Sequence, residues 1–492
     1  MRNASDITMR PATTLLELPF TADELLRALL RLAPERRAQI LDSGGARGDA
    51  DEARFLIAGF DPFETVEARA GELLIVRRGA TAGSVERGSL LLLLDERLAR
   101  YRVPQQAQEA SQLPVAGGAC IASFASDLAR QFERLRSRAP ASRAAPEPYA
   151  ALAFYDTLVV HDYTRNSTYL TSVAGEDQTL RARAALDEAR QAAGFDAEEH
   201  EDLERLTTLN EAASNFTRAE YVAAVRRIRE HIYAGDIYQA NLTQQFTCPL
   251  AEGDSVERVF LRLRREHPAS FAAFLRRRED TVISASPERF LRVSHDEGAG
   301  ARRVEAWPIK GTRARGETAE EDARLRQDLQ RSVKDAAENV MIVDLLRNDL
   351  GRVCRYGTVE VAALCEVQEH PTLFHLVSKV RGRLRAEVTA GELLRATFPC
   401  GSITGAPKLR AMEIIDECER APRGLSMGAI GYFSFDGRID LSVAIRTMTV
   451  RDRVARFNVG GGIVAESDPE AEYEESLLKA RALLRALGAR AR

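Results

Sequence analysis

This chain of 492 residues has 69 Lys and Arg side chains, and only five of them are lysines. Arginine is a permanent cation, whereas a desolvated lysine can lose its proton and attack an electrophile. Lys310 lies in Trp307-Pro-Ile-Lys-Gly-Thr312. The proline stiffens the backbone before it, and Gly311 lets a ligand or another backbone come close. Gly311 and Thr312 add bare N–H groups and a hydroxyl, a cradle for a small anion. Taken alone, such a turn more often marks a solvated surface loop.

Two acidic pairs recur at i, i+3: Asp335 with Glu338, and Glu472 with Glu475, the latter sharing a stripe with Lys479. Charged stripes of this kind are ordinarily solvated faces. The first pair, however, opens a helix that reads as apolar nearly all round between Val340 and Leu346. Carboxylates at the mouth of a buried helix want a cation. Four oxygen ligands without His or Cys point to Mg²⁺. Arg446, read beside Gly460, Gly461 and Gly462, suggests a second anchor, for a carboxylate held by a guanidinium and backbone N–H groups. The alternative for Arg446 is a salt bridge at a strand edge.

These groups need elements to hold them. Thr217 to Glu220 forms a capping box, and Tyr221, Val225, Ile228 and Ile232 follow on one helical face. Strands are expected at 238–246, 270–275, 281–286 and 358–364, and helices at 333–350 and from a cap at Ser467. A Gly-rich loop, Phe398 to Lys408, runs into a further helix. Asp436-Gly437 marks a hairpin between 427–435 and 438–450, with Arg446 on the less greasy face. Upstream, helices are expected at 22–32 and 179–193. Short apolar runs at 55–57, 73–76, 90–94, 121–124 and 158–161 read as strands. A proline-rich connector (139–148) and an acidic stretch (196–204) precede a boundary, which gives regions 1–210 and 211–492.

Composition narrows the class. The net charge of −4 and pI near 6.1 disfavour a nucleic-acid partner. No apolar run spans a bilayer, and the N-terminus lacks the core of a signal peptide. Six scattered cysteines without C-x-x-C suggest buried thiols in a reducing cytoplasm.

The second region resembles the chorismate-binding enzymes, which include anthranilate, aminodeoxychorismate, isochorismate and salicylate synthases. The resemblance rests on Gly235-Asp-Ile-Tyr-Gln-Ala-Asn-Leu242, Ser286-Pro-Glu-Arg-Phe290, Pro308-Ile-Lys-Gly-Thr312, Lys334 to Val353, His375-Leu-Val-Ser378, Gly401 to Ile415, Gly428-Ala-Ile-Gly-Tyr432, Ile445-Arg-Thr447, Gly460 to Val464 and Glu470 to Ser476, in order. The family fold it implies is α+β: two large antiparallel sheets packed face to face with helices outside.

The resemblance also implies roles. Lys310, with Ala in the anthranilate branch, points to the aminodeoxychorismate synthase branch, although Cys400 stands where Gly is common. Lys310 would add to C2 of chorismate and Glu288 would protonate the leaving C4 hydroxyl. Asp335, Glu338, Glu472 and Glu475 would hold Mg²⁺. Gly311, Thr312, Tyr432, Arg446 and Gly460 to Gly462 would hold substrate carboxylates, and His375 and Ser402 would line the ring. Lys310 should then be desolvated or close to another cation. Ammonia would come from a separate glutamine amidotransferase subunit, because no glutaminase Cys-His-Glu context is found. A tryptophan site in some relatives maps to Ser43, Arg54, Phe55, Ser270 and Phe271. The rival readings are an anthranilate synthase component and a non-catalytic subunit that only binds an amidotransferase.

Overall fold

The computed structural model describes residues 13–45, 54–103, 112–115, 117–133, 135, 147–192, 210–295, 301–369 and 373–491. Most of the proline-rich connector, all of the acidic stretch 196–204 and the extreme N-terminus lie outside them.

Two sheets dominate, with 13 and 12 strands among the described residues, and neither is confined to one half of the chain. In the first sheet Gln39–Asp42 pairs with Phe271–Arg276, Ala272 opposite Asp42. In the second, Ala119–Phe124 pairs with Ala429–Ser434, Gly431 opposite Ala122. The described ladders are antiparallel except Asn210–Ser214 with Ala489–Ala491. The fold class is therefore α+β, as expected.

Three cores account for the layers. Ile57, Ile121, Val160, Leu275, Val282 and Ile430 come from both sheets and pack between them. Helices Ala22–Arg31, Val256–Glu266 and Pro469–Ala486 cover the outer face of the first sheet. Helices Leu90–Arg100, Val333–Gly351 and Ala390–Thr397 cover that of the second. Burial of these apolar faces drives the arrangement.

Local signals held where they were complete. The Thr217 side chain accepts from the Glu220 N–H, and Glu220 reaches back to close the box before helix Arg218–Tyr233. Asp436 and Gly437, with φ +99° at the glycine, turn the expected hairpin.

Four local expectations are corrected. Leu90 to Leu94 opens a helix, not a strand: Ser89 caps it, and Leu92 is 70% exposed on its outer side. Helix Val333–Gly351 buries one face only, through Asn339, Ile342, Val343, Leu346 and Leu350, and Val340 is exposed. The strand expected to run through 438–450 breaks, because Ile439–Val443 belongs to one sheet and Thr447–Arg451 to the other. The last helix is capped by Asp468, which frees Ser467 for the site. No helix of the described residues is long and apolar enough to cross a membrane. All six cysteines are free thiols, five of them buried.

Candidate active site

Lys310 sits on a bulge. Strand Ile309–Ala314 pairs with Leu373–Arg383, Ile309 opposite Val377 and Thr312 opposite His375, so the ladder slips at Lys310 and Gly311. Bulges re-aim side chains. Gly311 has φ +84°, and a Cβ there would crowd Leu329 and the Asp335 carboxyl carbon at 2.8 and 2.9 Å. Glycine is required on both counts. The Lys310 ammonium donates to the Ser402 carbonyl at 3.3 Å. Thr312 Oγ1 and His375 Nδ1 are 2.9 Å apart, so the two lie side by side.

Ser402 belongs to a 3₁₀ turn, Gly401–Ile403, and is 4% exposed. Glu288 is buried against it, and its Oε1 has no hydrogen-bond partner. Burial raises the Glu288 pKa, opposed by the Ser402 hydroxyl, the Lys310 charge and the Ile309 N–H. A carboxyl whose protonated form burial favours, beside an amine, has the equipment of a general acid.

The four expected metal ligands come from two helix N-termini. Ser332 caps the Val333–Gly351 helix, which presents Asp335 and Glu338; the Pro469–Ala486 helix presents Glu472 and Glu475. Burial raises Glu338; Lys310 and Lys334 lower it, and Asp335 and Glu475 raise it further. Glu472 is raised by burial and accepts from Ser467 Oγ at 2.6 Å. Burial also pushes Glu475 up, but Lys479 at 2.7 Å, Lys334 and Lys310 outweigh it and leave its pKa lowered. The acids of the two helices thus sense each other and Lys310.

As arranged, no three His, Cys, Asp or Glu among the described residues converge tightly enough to hold an ion. Arg313 engages Asp335 at 3.2 Å, and Lys479 engages Glu475. The donor set nevertheless fits a hard divalent cation: all oxygen, anionic, and partly buried without full compensation.

The glycine strand faces these acids. In Val454–Ile463, Gly460 lies opposite Thr243, Gly461 opposite Leu242 and Gly462 opposite Asn241. A Cβ on Gly461 would stand 3.2 Å from Glu472 Oε2 and 3.5 Å from Lys479 Nζ. Lys479 also donates to the Gly460 carbonyl at 3.0 Å. Arg446, with φ +48°, sits where the chain crosses between sheets. No carboxylate pairs with it among the described residues, and burial lowers its pKa. Arg446 thus makes no strand-edge salt bridge among the described residues, and a half-buried guanidinium without a counter-ion suits an anion.

Tyr432 is placed elsewhere. It lines a cavity of about 80 Å³ between the sheets, because its strand alternates and its side chain faces away from the lysine. Ser43, Arg54, Phe55, Ser270 and Phe271, the tryptophan-site candidates, all line this same cavity. An engineered cavity of about 150 Å³ admits benzene, so an indole needs these walls to move. Arg54 is held by Asp162 at 2.7 Å.

Sequence reading missed two residues. Lys479 was seen only as part of a stripe, yet it bridges Glu475 and the glycine strand. Gln239 is fully buried, and neither its Oε1 nor its Nε2 has a partner. A Cβ on Gly462 would collide with that amide. Its place in the Tyr-Gln-Ala-Asn-Leu motif was the one available signal.

A two-sheet α+β fold with a lysine, a buried acid and paired acidic helix mouths defines a chorismate-binding enzyme. Residues 46–485 match the family model described as chorismate binding enzyme, and the chain belongs to that family. Aminodeoxychorismate synthase component 1 of Klebsiella aerogenes is 39% identical over 474 residues, 96% of this chain and 98% of that one. Its Escherichia coli K12 namesake is 38% identical over 450 residues, 92% and 93% of the two chains. Anthranilate synthase component 1 of Geobacillus stearothermophilus is 34% identical over 457 residues, 88% and 86%. Anthranilate synthase component I from Streptococcus pneumoniae TIGR4 has a related structure, TM-score 0.73 at 28% identity, over 88% of this chain and 92% of that one.

Proposed function

We infer that this chain is the chorismate-converting component of an aminodeoxychorismate synthase. The observation that carries the reading is Lys310, whose amine stands beside Glu288 and within the field of the acidic helix mouths. A lysine at this position supplies a nucleophile that alanine cannot.

The Lys310 amine, once neutral, attacks ring carbon C2. Both ring double bonds shift, the C4–O bond breaks, and Glu288 gives its proton to the departing hydroxyl, which leaves as water. Ammonia then adds at C4, both double bonds return to their places, the bond from C2 to Lys310 breaks, and Glu288 recovers its proton from the new ammonium. The product is 4-amino-4-deoxychorismate, a precursor of para-aminobenzoate. Arg446 and the N–H groups around Gly460 to Gly462 hold substrate carboxylates, and Thr312 with His375 flanks the bulge. Asp335, Glu338, Glu472 and Glu475 would hold Mg²⁺, which when bound supplies positive charge at the ring carboxylate and draws electrons from C2.

The name component 1 carried by the relatives supports a partner, which we take to be a glutamine amidotransferase working with this chain in the cytoplasm. Tryptophan is a candidate ligand of the inter-sheet cavity only if its walls open. Identification of the product by mass, after incubation with chorismate, Mg²⁺ and ammonium, tests the reading. Aminodeoxychorismate is expected; anthranilate with pyruvate would move the chain to the other branch, and no turnover would favour a non-catalytic subunit.

A further inference from the structure

Two stretches of the sequence, Glu338-Asn-Val-Met341 and His375-Leu-Val-Ser378, meet in the interior. Asn339, on the helix that presents Asp335 and Glu338, is fully buried, and so is Ser378, on strand Leu373–Arg383. Asn339 Nδ2 donates to the Leu376 carbonyl at 3.2 Å, and the Ser378 hydroxyl donates to Asn339 Oδ1. One amide thus spans the strand on both sides of Val377, the residue opposite Ile309. The Ser378 N–H donates to the Pro308 carbonyl at 3.1 Å, two residues before Lys310.

Chemistry sets the order of donors. The Leu376 carbonyl can only accept, so the NH₂ end of the amide faces it and Oδ1 faces Ser378. That oxygen also can only accept, so the serine proton points to Asn339. The hydroxyl oxygen then accepts from the Cys365 N–H at 2.9 Å. Cys365 lies in the neighbouring strand, Glu360–Glu369, at a slip in register, and has φ +51°. A left-handed non-glycine residue persists only where its surroundings hold it. Ser378 is therefore a node. Its backbone holds the segment that enters the Lys310 bulge, and its side chain holds the acid-bearing helix and the neighbouring strand.

We propose that Asn339 and Ser378 are positioning residues that fix the helix carrying Asp335 and Glu338 against the bulge carrying Lys310. In the reaction given above, on which this inference rests, Lys310 must reach C2 while the acids face the carboxylate on the neighbouring carbon. A slip of about 1 Å between the two costs up to about 10²-fold in rate.

The test compares Asn339→Leu, Ser378→Ala and the double variant with the parent, at a temperature where circular dichroism shows them folded. Mn²⁺, read by its electron paramagnetic resonance, stands in for Mg²⁺ in the resting protein. Each single variant should bind it about 10–100-fold more weakly, and the double variant no more weakly than the worse single one. Acetylation of amines, followed by peptide mass spectrometry, should modify Lys310 about threefold faster or more, because its hold on the Ser402 carbonyl loosens. Lys408, held by Asp349 on the far part of the same helix, should stay within about twofold of the parent. Turnover with ammonia should lose about 10–100-fold in kcat, with KM for chorismate within about threefold. Ser378→Thr, which keeps the hydroxyl, should behave as the parent in all of these. Parental Lys310 acetylation or parental Mn²⁺ affinity in a folded single variant overturns the proposal, as do losses that multiply in the double variant. If the parent itself binds no Mn²⁺, the assignment of the acids as metal ligands fails, and Lys310 acetylation alone decides for or against the clamp.

Discussion

Glu288 and Arg289 are neighbours in the chain that serve opposite chambers. Glu288 is buried beside Lys310 and Ser402. Arg289 faces the inter-sheet cavity, paired with Asp440 at 3.0 Å. Its guanidinium lies over the rings of Phe271 at 5.0 Å and Trp307 at 4.7 Å. Trp307 in turn stands three residues before Lys310. The acid and the nucleophile are thus each anchored, within a few residues, to one stack of arginine on aromatics.

The position of Glu288 fixes a pH dependence. Burial holds its carboxyl above the usual range, so the acid form persists further up the pH scale. The reaction uses that form, so kcat should fall as pH rises through the elevated pKa. Glu288→Gln should cost about 10²–10⁴-fold in kcat with little change in KM for chorismate, and should lack this limb. Steady-state kinetics across pH checks both.

The three consecutive glycines should not respond alike to alanine. A Cβ at Gly460 would run into the backbone carbonyl of Leu242, which cannot move aside. Gly460→Ala should therefore destabilise by about 1–3 kcal/mol or more. At Gly461 the nearest atoms are the ends of Glu472 and Lys479 at 3.2 and 3.5 Å. Gly461→Ala should fold normally but bind Mg²⁺ and chorismate more weakly. Denaturant unfolding set beside binding titrations separates the two.

Gln239 is kept at a cost to stability. Each unpaired buried polar atom is worth about 1–3 kcal/mol of penalty, and both ends of this amide are unpaired. Gln239→Met should leave stability unchanged or raised, while ammonia-dependent turnover falls at least tenfold. Loss of both together would mark the amide as structural.

How much of this was legible in the sequence depends on how local each signal is. The Thr217–Glu220 box and the Asp436-Gly437 hairpin are complete within a few residues, and both formed as read. Leu90 to Leu94 was not, because five apolar residues in a row carry neither period; only the Ser89 cap tips them to helix. The crossing at Val443 to Thr447 was hidden because alternation continues through it and only the φ of Arg446 changes. Lys310, Glu288 and the four acids follow from residue type and motif. Tyr432 was misplaced by motif proximity, since neighbours on a strand face opposite ways. The open amide of Gln239 exists only in three dimensions.

Arg423 ties the loop to the scaffold. It pairs with Glu419 at 2.8 Å, both nearly buried, and donates to the Ile403 carbonyl at 2.8 Å, next to Ser402. Arg423→Ala leaves the Glu419 charge buried and should cost about 3–5 kcal/mol. It should also loosen the turn whose neighbouring Ser402 carbonyl receives Lys310, lowering kcat more than it raises KM. Unfolding curves and kinetics of the same preparation check this.

In the mechanism proposed, the Lys310 amine bonds to the substrate ring. This bond is tested by peptide mass spectrometry after quenching the protein with chorismate and Mg²⁺ in the absence of ammonia. The peptide containing Lys310 should gain the mass of chorismate less one water, and the gain should vanish in Lys310→Ala together with turnover. An unmodified Lys310 peptide, with Lys310→Ala turning over at the parental rate, would contradict it.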